Sequence, residues 1–492
     1  MRGWRRTLWY VQAFYDRHKT VLIVSVIAGV ILSLISIRLF AVIPGLKKTI
    51  YIGRVGHYSL AAIPRDIQEK VSFGLTQSFE NGDVVPALAS SFSREENGKA
   101  YRFTIRPKVA WQDGKEVTPE DVTYNFADTQ VSRSQNDIVF RLTAQKQDPN
   151  AQEPVLPVSF TSIVSQPLFR QISYHNILFQ PRQEIVGLGK YRIASISNQS
   201  GSIDEMTLES NSDELVYRFY ATEHDAIIGF KRGEVDTVEG LLGTEDLSAQ
   251  QNVGVTARTH TDEYIGLFFN MVQLENINNP LANKQLRQAL NFALQKPTQN
   301  RAISPIDPQS FAYITQANDV ENYNQNMTTA TNLLMKLETP TKIVLDLQTP
   351  PNYTSIADQA KHDWEELGNM TADQCEQTNA APRDQCENKR IQVNEHITSF
   401  PDTQNFQVIV AGQQIPNDPD QYTMWDSTQP TNFTHYKNPR VDKLLEDGRR
   451  TTDKEQRKLI YQEFQTTLVQ DSPVIFYQYI TTYDVARKVK LL

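Results

Sequence analysis

One apolar run near the start of the chain constrains its fold more than any other sequence feature. Residues 21–37 form a run of 17 residues that contains no charged residue and no proline. An α-helix of this length spans roughly 26 Å, close to the ~30 Å hydrocarbon core of a bilayer. Arg38 follows, and an arginine near a helix end can extend its side chain to the membrane interface. The sequence therefore predicts one transmembrane anchor at residues 20–43, and no later segment is comparable.

Charge predicts the orientation of this anchor. Residues 1–19 contain five Lys and Arg residues but only one Asp, and the positive-inside rule makes such a segment a cytoplasmic tail. The bulk of the chain then lies outside the cytoplasm, extracellular or periplasmic, as part of a single-pass cell-membrane protein. A cleaved signal peptide is the alternative, although the run exceeds the usual ~7–15 apolar residues of such peptides and no A-x-A motif follows it.

The part of the chain beyond residue 48 is acidic. Residues 1–48 carry eight Lys and Arg residues against one Asp, a balance of +7, and the whole chain carries −8, which leaves −15 for the rest. An acidic body argues against a general nucleic-acid-binding protein. The same part is long enough for two or three lobes of ~100–200 residues each.

The two cysteines, Cys375 and Cys386, predict a disulfide. Both lie in a polar stretch on the predicted oxidising side of the membrane, where a bridge would close a short loop. A metal site is a weaker interpretation because no histidine lies within the loop. A redox site is weaker because the spacing is not C-x-x-C.

Strand and helix patterns alternate along the chain, which predicts an α/β or α+β protein with more than one sheet. Asp113-Gly114 predicts a hairpin turn, and Thr118 with Pro119 and Asp121 predicts the start of a helix. Later helices are predicted at residues 224–233, 280–296 and 354–367 and after Asn438 and Thr452. Later strands are predicted at residues 187–196, 204–209, 234–238, 264–271, 342–347, 406–411 and 474–479.

Motifs of the common enzyme classes are absent from the sequence. It contains no G-x-S-x-G, H-E-x-x-H or Walker A pattern, and its eight histidines do not pair at ligand spacing. We therefore expect no enzyme activity, no cofactor and no metal site. An extracellular hydrolase is the weakest of the alternatives.

A series of short motifs resembles one protein family. The motifs lie at residues 85–92, 101–107, 111–114, 117–122, 189–193, 233–236, 269–270, 286–290, 418–420, 438–445 and 471–474. Together they cover most of residues 50–485 in the right order. The chain resembles the family 5 extracellular solute-binding proteins, which are the oligopeptide- and dipeptide-binding components of ABC importers.

This resemblance implies a periplasmic-binding-protein fold of type II, in which two lobes close on a ligand about a hinge. Lobe one would comprise residues 49–265 plus 476–492, and lobe two residues 266–475. The implied partners are a peptide or another small polar solute, an ABC permease in the same membrane, and the lipid bilayer. A sensor, chaperone or scaffold module without transport is the alternative function.

The resemblance also implies ligand contacts, with one departure from the family pattern. His57 and Tyr58, after the first strand, match a ligand-contacting loop. After the strand at residues 406–411, however, the family's aromatic position is Gln413 and its acidic position falls near Ile415 or Pro416. The aspartate that pairs with a peptide amino group therefore looks lost or moved.

The residues around this departure are the other candidate ligand contacts. Gln413, Gln414 and Asn417 would form an uncharged polar site, or else face water as loop residues. Asp418 matches the general Asp-Pro turn of the family. Tyr422 and Trp425 would form an apolar wall, with a core role as the alternative.

Overall fold

The computed structural model describes residues 17–21, 25, 47–59, 62–143, 153–175, 181–199, 201–272, 279–314, 321–378 and 380–488. The predicted anchor at residues 20–43 lies almost entirely outside these ranges. Within them, no helix has both the length and the apolar character needed to cross a membrane.

Strands make up the larger part of lobe one and the centre of lobe two. They are β1 (Lys48–Val55), β2 (Thr76–Ser78), β3 (Val84–Pro86), β4 (Ala89–Glu95), β5 (Ala100–Ile105), β6 (Thr129–Ser134), β7 (Asp137–Leu142), β8 (Arg170–His175), β9 (Pro181–Val186), β10 (Arg192–Gln199), β11 (Ser202–Glu209), β12 (Asp213–Tyr220), β13 (Thr237–Leu241), β14 (Val253–Phe269), β15 (Ile343–Thr349), β16 (Ile391–Ile397), β17 (Val408–Gln414) and β18 (Val474–Arg487).

Helices are concentrated in the second half of the chain. They are α1 (Arg65–Val71), α2 (Phe160–Ile163), α3 (Glu223–Arg232), α4 (Lys284–Ala293), α5 (Met327–Met335), α6 (Thr354–Gln377), α7 (Arg383–Glu387), α8 (Tyr422–Trp425), α9 (Pro439–Arg450) and α10 (Lys454–Asp471).

One ten-stranded sheet runs through the molecule in the order β10-β11-β12-β1-β13-β18-β14-β17-β15-β16. We call the side from β10 to β13 lobe one, and the side formed by β15 to β17 with α4 to α10 lobe two. The long strands β14 and β18 pair antiparallel and belong to both lobes. They are longer than the predicted strands at residues 264–271 and 474–479, because each continues from one lobe into the other.

Lobe two has a core on each face of this sheet. Alternate residues of a strand point to opposite faces. Ile265, Leu267 and Phe269 accordingly pack against α4, α5 and α6 on one face. Tyr264 and Phe268 pack against α9 and α10 on the other. The sheet is thus covered on both sides, as expected for strands in a mixed α/β domain.

A separate four-stranded sheet, β4-β5-β7-β6, forms an accessory part of lobe one. Its core is rich in aromatic rings, among them Tyr101, Phe103, Phe140 and Phe160. The short β2–β3 hairpin precedes this sheet and projects from it toward lobe two, as its contacts below indicate.

Two predicted helices differ in the structure. The pattern at Thr118 forms only the 3₁₀ turn Pro119–Asp121, although Thr118 N donates to Asp121 Oδ2 at 2.9 Å as a capping box requires. The chain leaves the turn in an extended conformation and places Val122 in the accessory core. The capping prediction was right, but the helix was wrong because packing of the following residues determines its length.

The predicted helix at residues 280–296 is divided in two. A 3₁₀ turn, Pro280–Ala282, precedes α4, and Asn283 between them is extended and accepts from Gln285 N at 2.8 Å. The buried Arg287 guanidinium binds the carbonyl oxygens of Leu281 and Ala282 at 2.8 and 3.0 Å. Because these carbonyls are occupied, they do not continue the helical hydrogen-bond pattern.

Candidate ligand-binding site

The two lobes meet where β14 and β18 pass from one to the other. Their pairing runs without interruption from Val253↔Arg487 to His260↔Ile480 and resumes at Tyr264↔Tyr479. Three residues of β14, 261–263, therefore stand opposite a single step of β18. Such an insertion bends a strand locally. We call residues 260–264 and 479–480 the crossing.

The carboxyl ends of the parallel strands of both lobes face this crossing. In lobe one, β1, β12 and β13 run parallel, and Leu241 at the end of β13 pairs with Tyr483. In lobe two, β15, β16 and β17 run parallel, and Gln414 at the end of β17 pairs with Glu263. Ligands of open α/β sheets bind outside such carboxyl ends. We therefore take the region between the lobes at the crossing as the candidate site and call it the cleft.

The end of β17 carries two amide side chains beside the crossing. Gln413 is half-buried and lies opposite Tyr264, while Gln414 is exposed and lies opposite Glu263. Cross-strand partners share a face of a sheet, so the two glutamines point to opposite faces. The Gln413 amide donates to the backbone oxygen of Gln414 at 3.1 Å.

Glu263 is a site residue that the sequence did not indicate. It is half-buried, and a Cβ placed on Gly412 would lie 2.8 Å from its Oε1 and 3.4 Å from the Tyr353 hydroxyl. Burial, and to a smaller extent the neighbouring Asp262, raises the pKa of Glu263. The only sequence signal was an acidic pair immediately before an apolar strand.

The two candidate residues of lobe one follow β1, at the same edge of the sheet. His57 is exposed. Tyr58 packs its ring 5.0 Å from that of Phe219, and its hydroxyl donates to Val55 O at 3.0 Å. The loops after β1 and after β17 thus both follow carboxyl ends of strands that face the crossing, and Tyr58 is held by contacts within its own lobe.

Asp418, by contrast, is committed to an internal ion pair. It is 5% exposed and accepts two hydrogen bonds from Arg457, at 2.6 and 2.8 Å. Arg457 is itself 4% exposed. A side chain so enclosed presents no oxygen to the cleft, so its position does not support the predicted ligand contact. Asn417, one residue earlier, is half-buried and lies against the β2–β3 hairpin at Gly82.

Tyr422 and Trp425 belong to the core of lobe two. Trp425 is fully buried, with its ring 6.2 Å from that of Tyr436. Tyr422 is half-buried, and the Arg449 guanidinium lies 4.1 Å above its ring. The core alternative therefore fits Trp425, while Tyr422 retains some accessible surface.

The accessory part of lobe one touches lobe two at a second place. Lys454 Nζ pairs with Asp83 at 2.5 Å, Phe311 N donates to Asn81 O at 3.1 Å, and Gln309 Nε2 donates to Glu80 at 2.6 Å. We call these three interactions the hairpin contact. They describe a molecule whose lobes are in contact beside the crossing.

A neighbouring interaction extends this interface toward the accessory sheet. Ser159 Oγ donates to Asp420 at 2.6 Å, Arg449 pairs with the same carboxylate at 3.2 Å, and Val158 N donates to Arg449 O at 2.8 Å. Burial raises the pKa of Asp420, and Arg449 opposes that shift.

Two features of α6 lie apart from the crossing. Cys375 in α6 and Cys386 in α7 form a disulfide with their Cα atoms 5.5 Å apart. His362, Asp363 and Glu366 form the one group of potential metal ligands found among the described residues. Asp363 is buried and accepts hydrogen bonds from Gln295 N at 2.7 Å and from the Gln359 side chain at 2.9 Å. Both of its carboxylate oxygens are therefore used in internal hydrogen bonds.

Comparison with known families and proteins agrees with the sequence motifs. The model of the family "Bacterial extracellular solute-binding proteins, family 5 Middle" matches residues 83–434. The oligopeptide-binding protein AppA of Bacillus subtilis is 21% identical over 467 residues, which cover 86% of this chain and 83% of AppA. The dipeptide-binding protein of Escherichia coli is 21% identical over 479 residues, which cover 82% of this chain and 83% of that protein.

Solved structures share the fold. NikZ from Campylobacter jejuni in complex with Ni(L-His) has a TM-score of 0.65 at 19% identity, covering 90% of this chain and 94% of NikZ. AppA from Bacillus subtilis in complex with a nonapeptide has a TM-score of 0.59 at 18% identity, covering 90% of this chain and 95% of AppA. The predicted family resemblance and the mixed α/β periplasmic-binding-protein fold are confirmed.

Proposed function

Because the chain belongs to family 5 of the bacterial extracellular solute-binding proteins, we propose that it captures peptides outside the cytoplasm and delivers them to the permease of an ABC importer. Members of this family are solute-binding proteins and not enzymes. At the coarser level, the chain is an extracellular solute-binding protein of an ABC transporter of the peptide or nickel type. The peptide ligand, the membrane anchor and the permease partner are the finer proposals.

The observation that carries the proposal is the meeting of strand ends from both lobes at the crossing. The end of β17 carries Gln413 and Gln414 beside the crossing, and the carboxyl end of β1 faces the same crossing. Amide side chains donate and accept at once, which suits the alternating N–H and C=O groups of an extended peptide. A ligand that contacts both lobes stabilises the closed form by its differential affinity for that form.

The names of similar proteins favour peptides over metal chelates as the ligand. Two curated relatives are named as oligopeptide-binding and one as dipeptide-binding. Among similar solved structures, however, two hold a nickel–histidine complex. The nickel complex is therefore the comparison ligand that an experiment must include.

The membrane anchor is proposed from the apolar run at residues 21–37. β1 begins at Lys48, only about ten residues after that run, so the linker between membrane and lobe one is short. A receptor held so close to the bilayer would meet an embedded permease at a high effective concentration. This makes a membrane-embedded partner the natural recipient of the ligand.

Ligand class can be tested with the full chain in lipid nanodiscs. Thermal unfolding would be followed with alanine-based peptides of two to nine residues, with Ni(L-His)₂ and with simple sugars. We expect a rise of several degrees with peptides of one length range, since a ligand that binds only the folded state stabilises it. A rise in unfolding temperature with Ni(L-His)₂ alone would identify the nickel chelate, and not a peptide, as the ligand. No rise with any of the tested compounds would overturn the proposed function.

Anchoring is tested separately by alkaline extraction of membranes and by the intact mass of the extracted chain. The proposal expects the protein to remain with the bilayer and to retain residues 1–19. A released protein that begins beyond the apolar run would establish a cleaved signal peptide instead. Loss of peptide uptake on deletion of the gene would distinguish transport from a sensor or chaperone role.

A further inference from the structure

We propose that Glu263 is the residue that binds a cationic group of the ligand. This inference rests on the proposed function, since it concerns the same cleft, and it assigns a class of ligand chemistry to that cleft. The group expected opposite Glu263 is a protonated amine, either the amino terminus of a peptide or the ammonium of a lysine side chain.

The position of Glu263 places its carboxylate at the boundary of both lobes. It ends the three-residue insertion at the crossing, directly before β14 enters lobe two, and pairs with Gln414 at the carboxyl end of β17. Its Oε1 lies so close to Gly412 that any larger residue there would displace it. The Tyr353 hydroxyl borders the same space. The carboxylate thus has a defined place at the edge where ligands bind.

The other buried and half-buried acids near the crossing, Asp307, Asp418 and Asp420, already have partners, and Glu263 does not. Asp418 is held by Arg457, and Asp420 by Ser159 and Arg449. Asp307 accepts from Thr261 at 3.1 Å and from Gln309 N at 2.7 Å. Across the described ranges, the Glu263 carboxylate has neither a hydrogen bond nor an ion pair. It is the half-buried acid at the crossing that remains available to a ligand.

A cation would relieve the unfavourable environment of this carboxylate. Burial raises its pKa, and the Asp262 carboxylate beside it adds a smaller effect in the same direction. Both effects show that no nearby positive charge offsets the negative charge of the Glu263 carboxylate. An ammonium group supplies charge and hydrogen-bond donors together, and exclusion of water by the surrounding lobes would strengthen the pair.

The experiment measures binding of three peptide forms by titration calorimetry to the full chain in nanodiscs. The probes are alanine peptides of two to nine residues with a free amino terminus, the same peptides N-acetylated, and N-acetylated peptides that contain one lysine. The variants are Glu263→Gln, which keeps the shape and removes the charge, and Asp262→Asn, a matched control that removes one charge from the exposed neighbouring residue.

We expect the wild-type protein to bind at least one amine-bearing form about tenfold or more tightly than the acetylated, lysine-free form, as for a close charge pair. Glu263→Gln should abolish this preference, whereas Asp262→Asn should preserve it. Tighter binding of peptides with a free amino terminus identifies that group as the cation. Tighter binding of acetylated peptides that contain a lysine identifies the lysine ammonium instead. Gly412→Ala, which displaces the carboxylate, should weaken the same preference.

Two results would overturn the inference. If Glu263→Gln keeps the wild-type preference for an amine, or if the wild-type protein binds the free, acetylated and lysine-containing peptides equally, Glu263 is not the recognition residue, although peptide binding itself stands. If the wild-type protein binds none of these peptides, the proposed function fails and the inference fails with it. If Glu263→Gln does not fold, Gly412→Ala takes its place, because its methyl group displaces the Glu263 carboxylate; an unchanged amine preference in that variant would overturn the inference.

Discussion

At the scale of single residues, Asp418 shows that a residue of a family motif can stabilise the fold without contacting the ligand. Its Asp-Pro sequence matches the family, and the sequence predicts its carboxylate as a candidate ligand contact. Instead it is locked to Arg457, whose Nε also donates to Gly448 O at 2.8 Å. The pair therefore joins the loop after β17 to α9 and α10, behind the cleft.

Removing one member of the Asp418–Arg457 pair should lower the free energy of unfolding. Asp418→Asn leaves the buried Arg457 charge without its partner, and such changes typically destabilise by about 3–5 kcal/mol. Denaturant unfolding would measure the loss. The matched control is Glu463→Gln, which breaks the exposed pair with Arg440 and should cost about 1 kcal/mol or less. Equal effects of the two variants would show that burial of the Asp418 pair is unimportant.

Asp471 gives a prediction about pH. Burial alone would raise the pKa of Asp471, but hydrogen bonds from Lys284, Tyr436 and Asn438, each at 2.7 Å, reverse this and lower it below 3.8. Stability from such a carboxylate is fully present above the unfolded pKa and is lost as the pH falls through the folded value. Unfolding free energies measured between pH 5 and pH 2 should therefore fall less steeply for Asp471→Asn than for the wild-type protein. Parallel curves would contradict this.

At the scale of elements, the start of a helix was easier to predict than its length. Asn438 and Asp453 cap α9 and α10 through contacts to Arg440 N at 2.9 Å and Gln456 N at 2.8 Å, and both signals are local in sequence. α6, in contrast, runs ten residues past its predicted end at residue 367. It continues because Gly368 allows close approach to Ile391 N and because the disulfide holds its last turns.

The difference between local signals and long-range contacts also explains which residues of the site could be predicted. The loops after β1 and β17 could be named as candidate ligand contacts, because family motifs fix their place in the strand order. Glu263 was missed because its importance depends on the pairing of β14 with β17, about 150 residues later. Cross-strand register over that separation cannot be derived from local pattern.

The disulfide between α6 and α7 gives the prediction at this scale. It closes a loop with a sequence separation of 11, for which the loop-entropy model gives about 2–3 kcal/mol. Replacing both cysteines by serine should lower the unfolding free energy by that amount, and a reducing agent should lower the wild-type value equally. If reduction leaves the wild-type value unchanged, the bridge contributes no stability.

At the scale of the whole molecule, the lobes are joined by the crossing strands, by the hairpin contact and by the interactions of Val158, Ser159 and Arg449 around Asp420. The crossing is covalent and permanent, whereas the hairpin contact consists of one exposed ion pair and two hydrogen bonds. Exposed pairs contribute about 0–1 kcal/mol, which is small enough for the contact to break and re-form as a ligand enters and leaves.

Charge reversal tests this role of the hairpin contact. Lys454→Glu would face Asp83 with a like charge, so we expect faster hydrogen exchange at the Phe311 amide, which donates to Asn81 O, and peptide affinity about two- to fivefold lower. Lys443→Glu is the control, because Lys443 pairs with Asp447 inside α9. Unchanged exchange at Phe311 would mean that the contact does not hold the lobes together.

The place of β18 in the sheet has a consequence for how the protein is made. It is the last of the described strands in sequence, yet it lies between β13 and β14. Until the ribosome has supplied it, the facing edges of β13 and β14 stay open, and open edges invite mispairing between chains. Neither lobe can complete its sheet during synthesis or export, so final assembly must await the arrival of residues 474–487. We therefore expect the chain to need chaperones most in the period before residues 474–487 are available to pair.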